Sequence, residues 1–267
     1  MGLVAVLGAG VMGETLMSGL LRAGHAPSDL LVTERRPDRA AFLAEKYGVR
    51  VVSNVEAADQ ADTLVVVVKP QDMGSLCEEI AGHARPGQLI VSLAAGITTS
   101  YLESRLPTGV AVVRVMPNTP ALVDQGMAAI SAGSHCDDAH LDRAEALLRA
   151  VGKVVRVPEK QQDAVTAISG SGPAYVFYVA EAMIEAGVFL GLPRSTATEL
   201  AVQTLYGAAT MLRETGEHPG VLRENVTSPG GTTVAALRVL DDHKVRAAFI
   251  TALEAARDRS HELASGE

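Results

Sequence analysis

The sequence predicts two domains of different class: an α/β N-terminal half built on a parallel sheet, followed by an all-α C-terminal half. Three observations carry this. From residue 3 to about residue 157, short β-branched runs alternate with helical stretches, the pattern of crossovers that lay strands side by side in parallel. After Pro158 the strand signals stop, and long Ala-rich segments of helical period take over. The chain of 267 residues is 48% hydrophobic and 20% charged, which supplies packed interiors and excludes a disordered polyelectrolyte. The expected domains are therefore 1–157 and 158–267.

The expected strands are Leu3–Leu7, Leu30–Thr33, Val49–Val52, Thr63–Val68, Leu89–Ser92, Ala111–Val115 and Val154–Val157. Leu64–Val68 is apolar without alternation, as in a central parallel strand covered on both faces. Val11–Ala23 and Asp38–Tyr47 read as helices closed by Gly24 and Gly48, because a glycine just past a periodic stretch ends a helix. In the second half the expected helices are Glu159–Ile168, Ala174–Leu190, Arg194–Glu214, Val234–Leu240 and Val245–Leu263. Ala174–Leu190 is apolar nearly all round, with Glu181 and Glu185 one turn apart. Such a helix needs burial on every side, which a small helical domain can hardly supply alone. A homodimer or a higher multiple of dimers is expected. The end, Ser265-Gly266-Glu267, is expected to fray.

Composition narrows the function. There are 31 acidic against 23 basic residues, a net charge of −8, and no basic run, which argues against nucleic-acid binding. Aromatics are 3% and Trp is absent, so the core must be Ala, Val and Leu. Cys77 and Cys136 belong to no paired motif and read as reduced thiols of a cytoplasmic protein rather than as a disulfide or zinc framework. His135-Cys136-Asp137-Asp138 are adjacent residues of one loop without partners elsewhere, so no metal site is expected. Ala164–Leu192 is apolar, but Gly172-Pro173, Glu181 and Glu185 would be costly against lipid, and no membrane association is expected. Leu3–Leu7 is too short for a signal peptide and leads straight into a glycine turn.

That turn, Gly8-Ala9-Gly10-Val11-Met12-Gly13, matches G-x-G-x-x-G, directly after the first strand and at the start of a helix. In this context Gly8 permits the tight turn, Gly10 leaves room for a pyrophosphate, and Gly13 lets helix and strand pack closely. The free N–H groups at Val11, Met12 and Gly13 then face the anion. This is the fingerprint of a Rossmann-type dinucleotide domain. Glu34 follows Gly13 by about 20 residues, where an acid that binds a ribose 2′-hydroxyl is expected. Arg35 and Arg36 beside it are what a 2′-phosphate wants. The signals conflict; two cations against one anion favour NADPH, with NADH the weaker alternative. Ligands of open α/β sheets bind beyond the strands' carboxyl ends, which places Asn54, Lys69 and Pro70, then Ala94-Ala95-Gly96 and Asn118, near the cofactor.

The second half carries two glycine- and serine-rich turns, Ile168-Ser169-Gly170-Ser171-Gly172-Pro173-Ala174 and Ser228-Pro229-Gly230-Gly231-Thr232-Thr233. Together with Met116-Pro117-Asn118-Thr119-Pro120 and Glu214-Thr215-Gly216-Glu217-His218-Pro219, they resemble the pyrroline-5-carboxylate reductase family, over essentially the whole chain. The resemblance implies reduction of Δ1-pyrroline-5-carboxylate to L-proline with NAD(P)H, the last step of proline biosynthesis, in a homo-oligomer. It implies a substrate pocket between the two domains, formed by Ser171, Gly172, Gly230, Gly231, Thr232 and Thr233. Successive backbone N–H groups at such a glycine turn suit a carboxylate. Thr233 is the candidate hydrogen-bond donor to the imine nitrogen, with Lys69 and Glu181 the other candidate catalytic groups. Glu181 has two readings, as a substrate or turn partner and as a buried carboxylate satisfying backbone donors near the dimer seam.

Hydride transfer to a protonated imine asks mainly for positioning, which suits a chain whose histidines, His218 apart, fall in none of these motifs. Two alternatives stand beside this reading. One is a reductase of the same architecture acting on a β-hydroxy acid or another cyclic imine. The other is a dinucleotide-binding redox sensor.

Overall fold

Eight strands form one sheet among the residues described by the computed structural model, which are 2–265. They are β1 (Val4–Leu7), β2 (Leu30–Thr33), β3 (Arg50–Val51), β4 (Thr63–Val66), β5 (Leu89–Ser92), β6 (Ala111–Met116), β7 (Gly126–Ala132) and β8 (Gly152–Arg156). Their order across the sheet is β3-β2-β1-β4-β5-β6-β7-β8. Strand order therefore reverses between β1 and β4, which creates a crevice at their carboxyl ends. Val4 pairs in parallel with Leu30 on one side and Thr63 on the other.

One strand escaped the sequence reading. β7 runs antiparallel to β6, with Val115 opposite Ile130, and β8 then pairs in parallel with β7. The sheet is thus mixed, not wholly parallel. Gly126-Met127-Ala128-Ala129-Ile130-Ser131-Ala132 is poor in β-branched residues, and its strand form comes from the pairing rather than from local propensity.

Helices cover both faces: α1 (Val11–Arg22), α2 (Pro37–Tyr47), α3 (Asn54–Gln60), α4 (Met73–Ile80), α5 (Thr99–Glu103) and α6 (Asp138–Leu148). Alternation along the strands divides the core in two. Val4, Val6, Leu30 and Val32 meet Leu16, Met17 and Leu20 of α1 on one face. Ala5, Leu7 and Leu64 meet Ala57 of α3 and Leu76 and Ile80 of α4 on the other. Each fully buried Leu or Ile contributes about 1.5–3 kcal/mol.

The segment expected as one helix over Glu159–Ile168 is divided: a 3-10 turn (Glu159–Gln161), α7 (Gln162–Val165) and a π turn (Thr166–Gly170). Thr166 Oγ1 donates to the Gln162 carbonyl and Ser169 Oγ to the Val165 carbonyl, side-chain competition of the kind that loosens a helix. The remaining helices are α8 (Gly172–Phe189), α9 (Arg194–Thr215), α10 (Pro219–Asn225), α11 (Thr232–Asp242) and α12 (Val245–Ser265). The short α10 was not expected; Pro219 starts it and His218 Nδ1 caps it by accepting the Gly220 N–H at 3.1 Å. Gly266 and Glu267, where fraying was expected, lie outside the described residues.

The described chain packs as two units. One holds the residues up to Ser171 together with the stretch from Ala256 on, and the other is Gly172–Ala255. In the second unit α8 lies against α9, whose Ala197 and Ala201 are buried, yet no residue of α8 itself is buried. Phe177 is 67%, Tyr178 74% and Phe189 91% exposed. Apolar surface on that scale marks an interaction face. The full chain is therefore expected to sediment as a dimer or a multiple of one, and a monomer at micromolar concentration would contradict this. No helix among the described residues is long and apolar enough to cross a membrane.

Candidate active site

The glycine turn is pinned to the neighbouring strand. The Gly8 N–H donates to Thr33 Oγ1 at 3.2 Å and the Ala9 N–H to the Thr33 carbonyl at 3.1 Å. Gly8 has φ +96°, a conformation that glycine alone adopts readily. A side chain at Gly13 would run into the Gly8 carbonyl oxygen, so α1 can start close behind the turn only because Gly13 has none. At Gly10 a Cβ would meet no protein atom within 4 Å. One glycine thus closes the turn, one closes the packing, and the third keeps a space open.

Gly10 caps α1 without any side-chain hydrogen bond, leaving the first N–H groups of the helix available to an anion. Glu14, in the same first turn, would oppose one. It is instead engaged by Arg39, by Tyr47 Oη at 2.6 Å and by Lys46 Nζ at 3.3 Å. Burial alone would raise its pKa, but these three partners outweigh it and hold the carboxyl below its ordinary value.

In front of the turn lies an open cleft of about 860 Å³. Gly8 and Gly10, the β2 end with Glu34, Arg35 and Arg36, and further along Asn54 and Lys69 all line it. The Glu34 side chain is only 10% exposed. Its Oε1 accepts the Arg36 backbone N–H at 3.0 Å and Arg36 Nε–H at 3.3 Å. Burial raises its pKa, yet the hydrogen bonds from Arg36 and Arg35 leave the carboxyl below its ordinary value. Arg35 is exposed at the same rim.

Other predicted residues lie elsewhere. Val11, Met12 and Gly13 form the first turn of α1, and Met12 and Asn118 border a second, far smaller hollow. Pro70 opens a 3-10 turn after Lys69. Ala94 is buried, Ala95 exposed, and Gly96 sits beside the end of α12. Asn118 is occupied by the fold: its Nδ2 donates to the Ser169 carbonyl at 3.0 Å, and its Oδ1 accepts the Met127 N–H at 2.8 Å. It ties the Met116-Pro117-Asn118 turn to the start of the Ser169-Gly170-Ser171 turn.

Sequence reasoning missed Ser53, Gln71, Asp72 and Glu79, which also line the cleft. Ser53 had a signal: Ser53-Asn54-Val55-Glu56 is a helix-start pattern, and Ser53 Oγ accepts the Glu56 N–H at 3.1 Å. Glu79 had none, because it reaches the cleft from α4 by accepting from Asn54 Nδ2 at 2.9 Å.

Ser171 ends the first unit, and the remaining candidates belong to the second. There Gly230 has φ +67° and the Gly231 N–H donates to the Ser228 carbonyl at 3.0 Å. Gly231 caps α11 without a side-chain bond, so the N–H groups beside Thr232 and Thr233 are available to an anion. Gly172 starts α8. Glu181 is exposed within the single chain and shares a groove of about 600 Å³ with Glu185 and Arg194.

Comparison with known proteins matches these parts. The family model for pyrroline-5-carboxylate reductase dimerisation matches residues 159–263, and that for NADP oxidoreductase, coenzyme F420-dependent, matches residues 3–96. The chain is 47% identical to the pyrroline-5-carboxylate reductase of Corynebacterium melassecola, over 97% of this chain and 98% of that protein. It is 46% identical to the Mycobacterium tuberculosis reductase, over 97% and 96%. Among solved structures it resembles a pyrroline-5-carboxylate reductase from Coxiella burnetii, with TM-score 0.94, 40% identity and 98% of both chains covered. It also resembles the Plasmodium falciparum pyrroline carboxylate reductase with NADP bound, with TM-score 0.86, 29% identity and 98% of both chains covered.

Proposed function

The chain belongs to the pyrroline-5-carboxylate reductase family, and from this premise we propose that it reduces Δ1-pyrroline-5-carboxylate to L-proline at the expense of a reduced nicotinamide dinucleotide. The observation that carries the reading is the uncapped start of α1 behind a glycine turn whose Gly10 faces open space in a cleft of about 860 Å³. Those features fit a pyrophosphate-linked dinucleotide. Gly8, Gly10, Val11, Met12 and Gly13 would hold the pyrophosphate, and Glu34, Arg35, Arg36 and Asn54 the adenosine end. Lys69, Pro70, Ala94, Ala95, Gly96 and Asn118 would form its nicotinamide side. When bound, the dinucleotide supplies the hydride.

The protein's part is to bind and orient. Ser171, Gly172, Gly230, Gly231 and Thr232 would fix the substrate carboxylate through backbone N–H groups and hydroxyls. Thr233 Oγ1 would hydrogen-bond the ring nitrogen, keeping the imine carbon at the correct face. Lys69 and Glu181 would complete the site's charge. Fixing the two reactants supplies most of the rate enhancement, since a protonated imine is already electrophilic. We assign domains 1–157 and 158–267 to these two tasks, supported by family matches over 3–96 and 159–263 and by a sheet that ends at Arg156. We assign the enzyme to the cytoplasm; Cys77 and Cys136 are free, and burial pushes both thiols up, which fits a reduced compartment.

Purified protein given NADPH and pyrroline carboxylate is expected to oxidise the cofactor only when the imine is present. Dinucleotide binding without imine-dependent turnover would overturn the substrate assignment. NADPH is the preferred cofactor in this reading, supported by Arg35 at the rim and by a Glu34 already paired with Arg36. An Arg35→Ala, Arg36→Ala double variant should lose about tenfold to a hundredfold in kcat/KM for NADPH and little for NADH. Equal losses with both cofactors would assign the choice to Glu34.

A further inference from the structure

A row of polar side chains crosses the interior of the sheet beneath the Glu159–Gln161 turn. Ser92 at the end of β5 lies beside Arg114 of β6, and Arg114 beside Ser131 of β7. Their exposures are 0%, 7% and 1%. Ser92 Oγ finds no hydrogen-bond partner among the described residues, whereas Arg114 and Ser131 each find one on a single short stretch of chain. Glu159 Oε1 accepts from Arg114 Nη1 at 3.3 Å, and Gln162 Nε2 donates to Ser131 Oγ at 2.8 Å. Ser131 Oγ in turn donates to the Val157 carbonyl at 2.8 Å.

Glu159 does more than balance Arg114. Its Oε1 accepts the Thr99 backbone N–H at 2.8 Å and its Oε2 accepts Thr99 Oγ1–H at 2.7 Å, across 60 positions of sequence. Thr99 is the first residue of α5, so both carboxylate oxygens grip the far end of the loop that leaves β5. The near end is the buried Ala94. Between them, a Cβ built on Gly96 would come within 3.5 Å of the Leu263 carbonyl in α12, so the loop is confined from that side too. An ion pair between the buried Arg114 and the half-buried Glu159 is a modest source of stability, because desolvation offsets much of the attraction. Its geometric product here is a loop held at both ends.

β5 adjoins β4, on the side of the strand-order reversal away from β2. A dinucleotide crossing that reversal, with its adenosine at the β2 end, carries its nicotinamide toward β5. We propose that Glu159 is a positioning residue for hydride transfer: by holding Thr99 it fixes the Ala94–Thr98 loop that seats the nicotinamide ring. This rests on the reading of the chain as a dinucleotide-dependent reductase, and it requires no contact between Glu159 and either reactant.

The test uses the full-length protein with Glu159→Ala, Glu159→Gln and Thr99→Val. kcat is measured, together with Kd for NADPH and for 2′,5′-ADP, which carries the adenosine end alone. Glu159→Ala should lower kcat by about tenfold or more, since small misplacements of reacting groups cost that much. It should weaken NADPH while leaving 2′,5′-ADP within about twofold of wild type. Glu159→Gln, whose amide oxygen still accepts the Thr99 N–H, should recover most of kcat. If Arg114, left unpaired, prevents Glu159→Ala from folding, Thr99→Val carries the same expectation in milder form. A kcat within about twofold of wild type in Glu159→Ala, or in Thr99→Val where Glu159→Ala does not fold, overturns the proposal, and so does equal weakening of NADPH and 2′,5′-ADP. A wild-type protein without imine-dependent turnover would overturn only the substrate reading, and the two affinities would still decide the role of Glu159.

Discussion

Gly10→Val should weaken NADPH binding by about a hundredfold or more while the folded protein stays intact. The backbone at Gly10, with φ −66°, is one that any residue adopts, and a Cβ there would meet no protein atom within 4 Å. The cost to the fold is therefore only that of a poorer helix cap, about 1 kcal/mol. The side chain would instead fill the space through which a pyrophosphate approaches the N–H groups of α1, and losing two decades of affinity corresponds to about 2.7 kcal/mol. Gly13→Ala is the matched control. Its Cβ would be driven into the Gly8 carbonyl oxygen, so melting temperature and NADPH affinity should fall together. Titration of both variants with NADPH, alongside thermal melts, separates the effects. A Gly10→Val variant with wild-type affinity would remove the glycine turn from the site.

Thr233→Ala should lower kcat/KM for the imine by about tenfold to a hundredfold, the worth of one hydrogen bond to a charged partner. Thr233 lies in the first turn of α11, where alanine is tolerated by the helix, so the folded population should not change. Because the residue belongs to the second unit and the glycine turn to the first, Kd for NADPH should stay within about twofold of wild type. Thr233→Ser, which keeps the hydroxyl, should recover most of the loss. Wild-type kinetics in Thr233→Ala would exclude it from substrate binding, and a parallel loss of NADPH affinity would assign it a structural role.

Much of this site was legible because its residues are neighbours in sequence. Gly8, Gly10 and Gly13 state their roles through spacing within one strand–turn–helix unit, and each meets the surroundings that role requires. Glu34, Arg35 and Arg36 could be placed at the cofactor rim from the strand end alone. What could not be read was how the three would divide. The Glu34 carboxylate could have stayed free or engaged a neighbour, and its acceptance of the Arg36 N–H and Nε–H is a matter of local geometry that residue identity leaves open. Glu79 and Asp72 reach the cleft from the far side of a crossover, where no spacing rule connects them to the turn.

By itself, the sequence determined the class of each half, the position of the dinucleotide turn and the two glycine-rich turns that mark the family. Hydrophobic period and turn chemistry act over a few residues, so a single segment carries enough information to decide them. Only the tertiary structure decided the rest. β7, with Ile130 its single β-branched residue, becomes a strand because β6 and β8 offer it hydrogen bonds on both sides. Residues 159–171, helical in period, pack with the first unit because Glu159, Gln162 and Ser169 find partners on the sheet and its loops. α8 carries the strongest apolar signal in the chain yet stays uncovered within it. For β7 and for residues 159–171 the deciding interaction joins residues far apart in sequence, and no local pattern records which partner will be there.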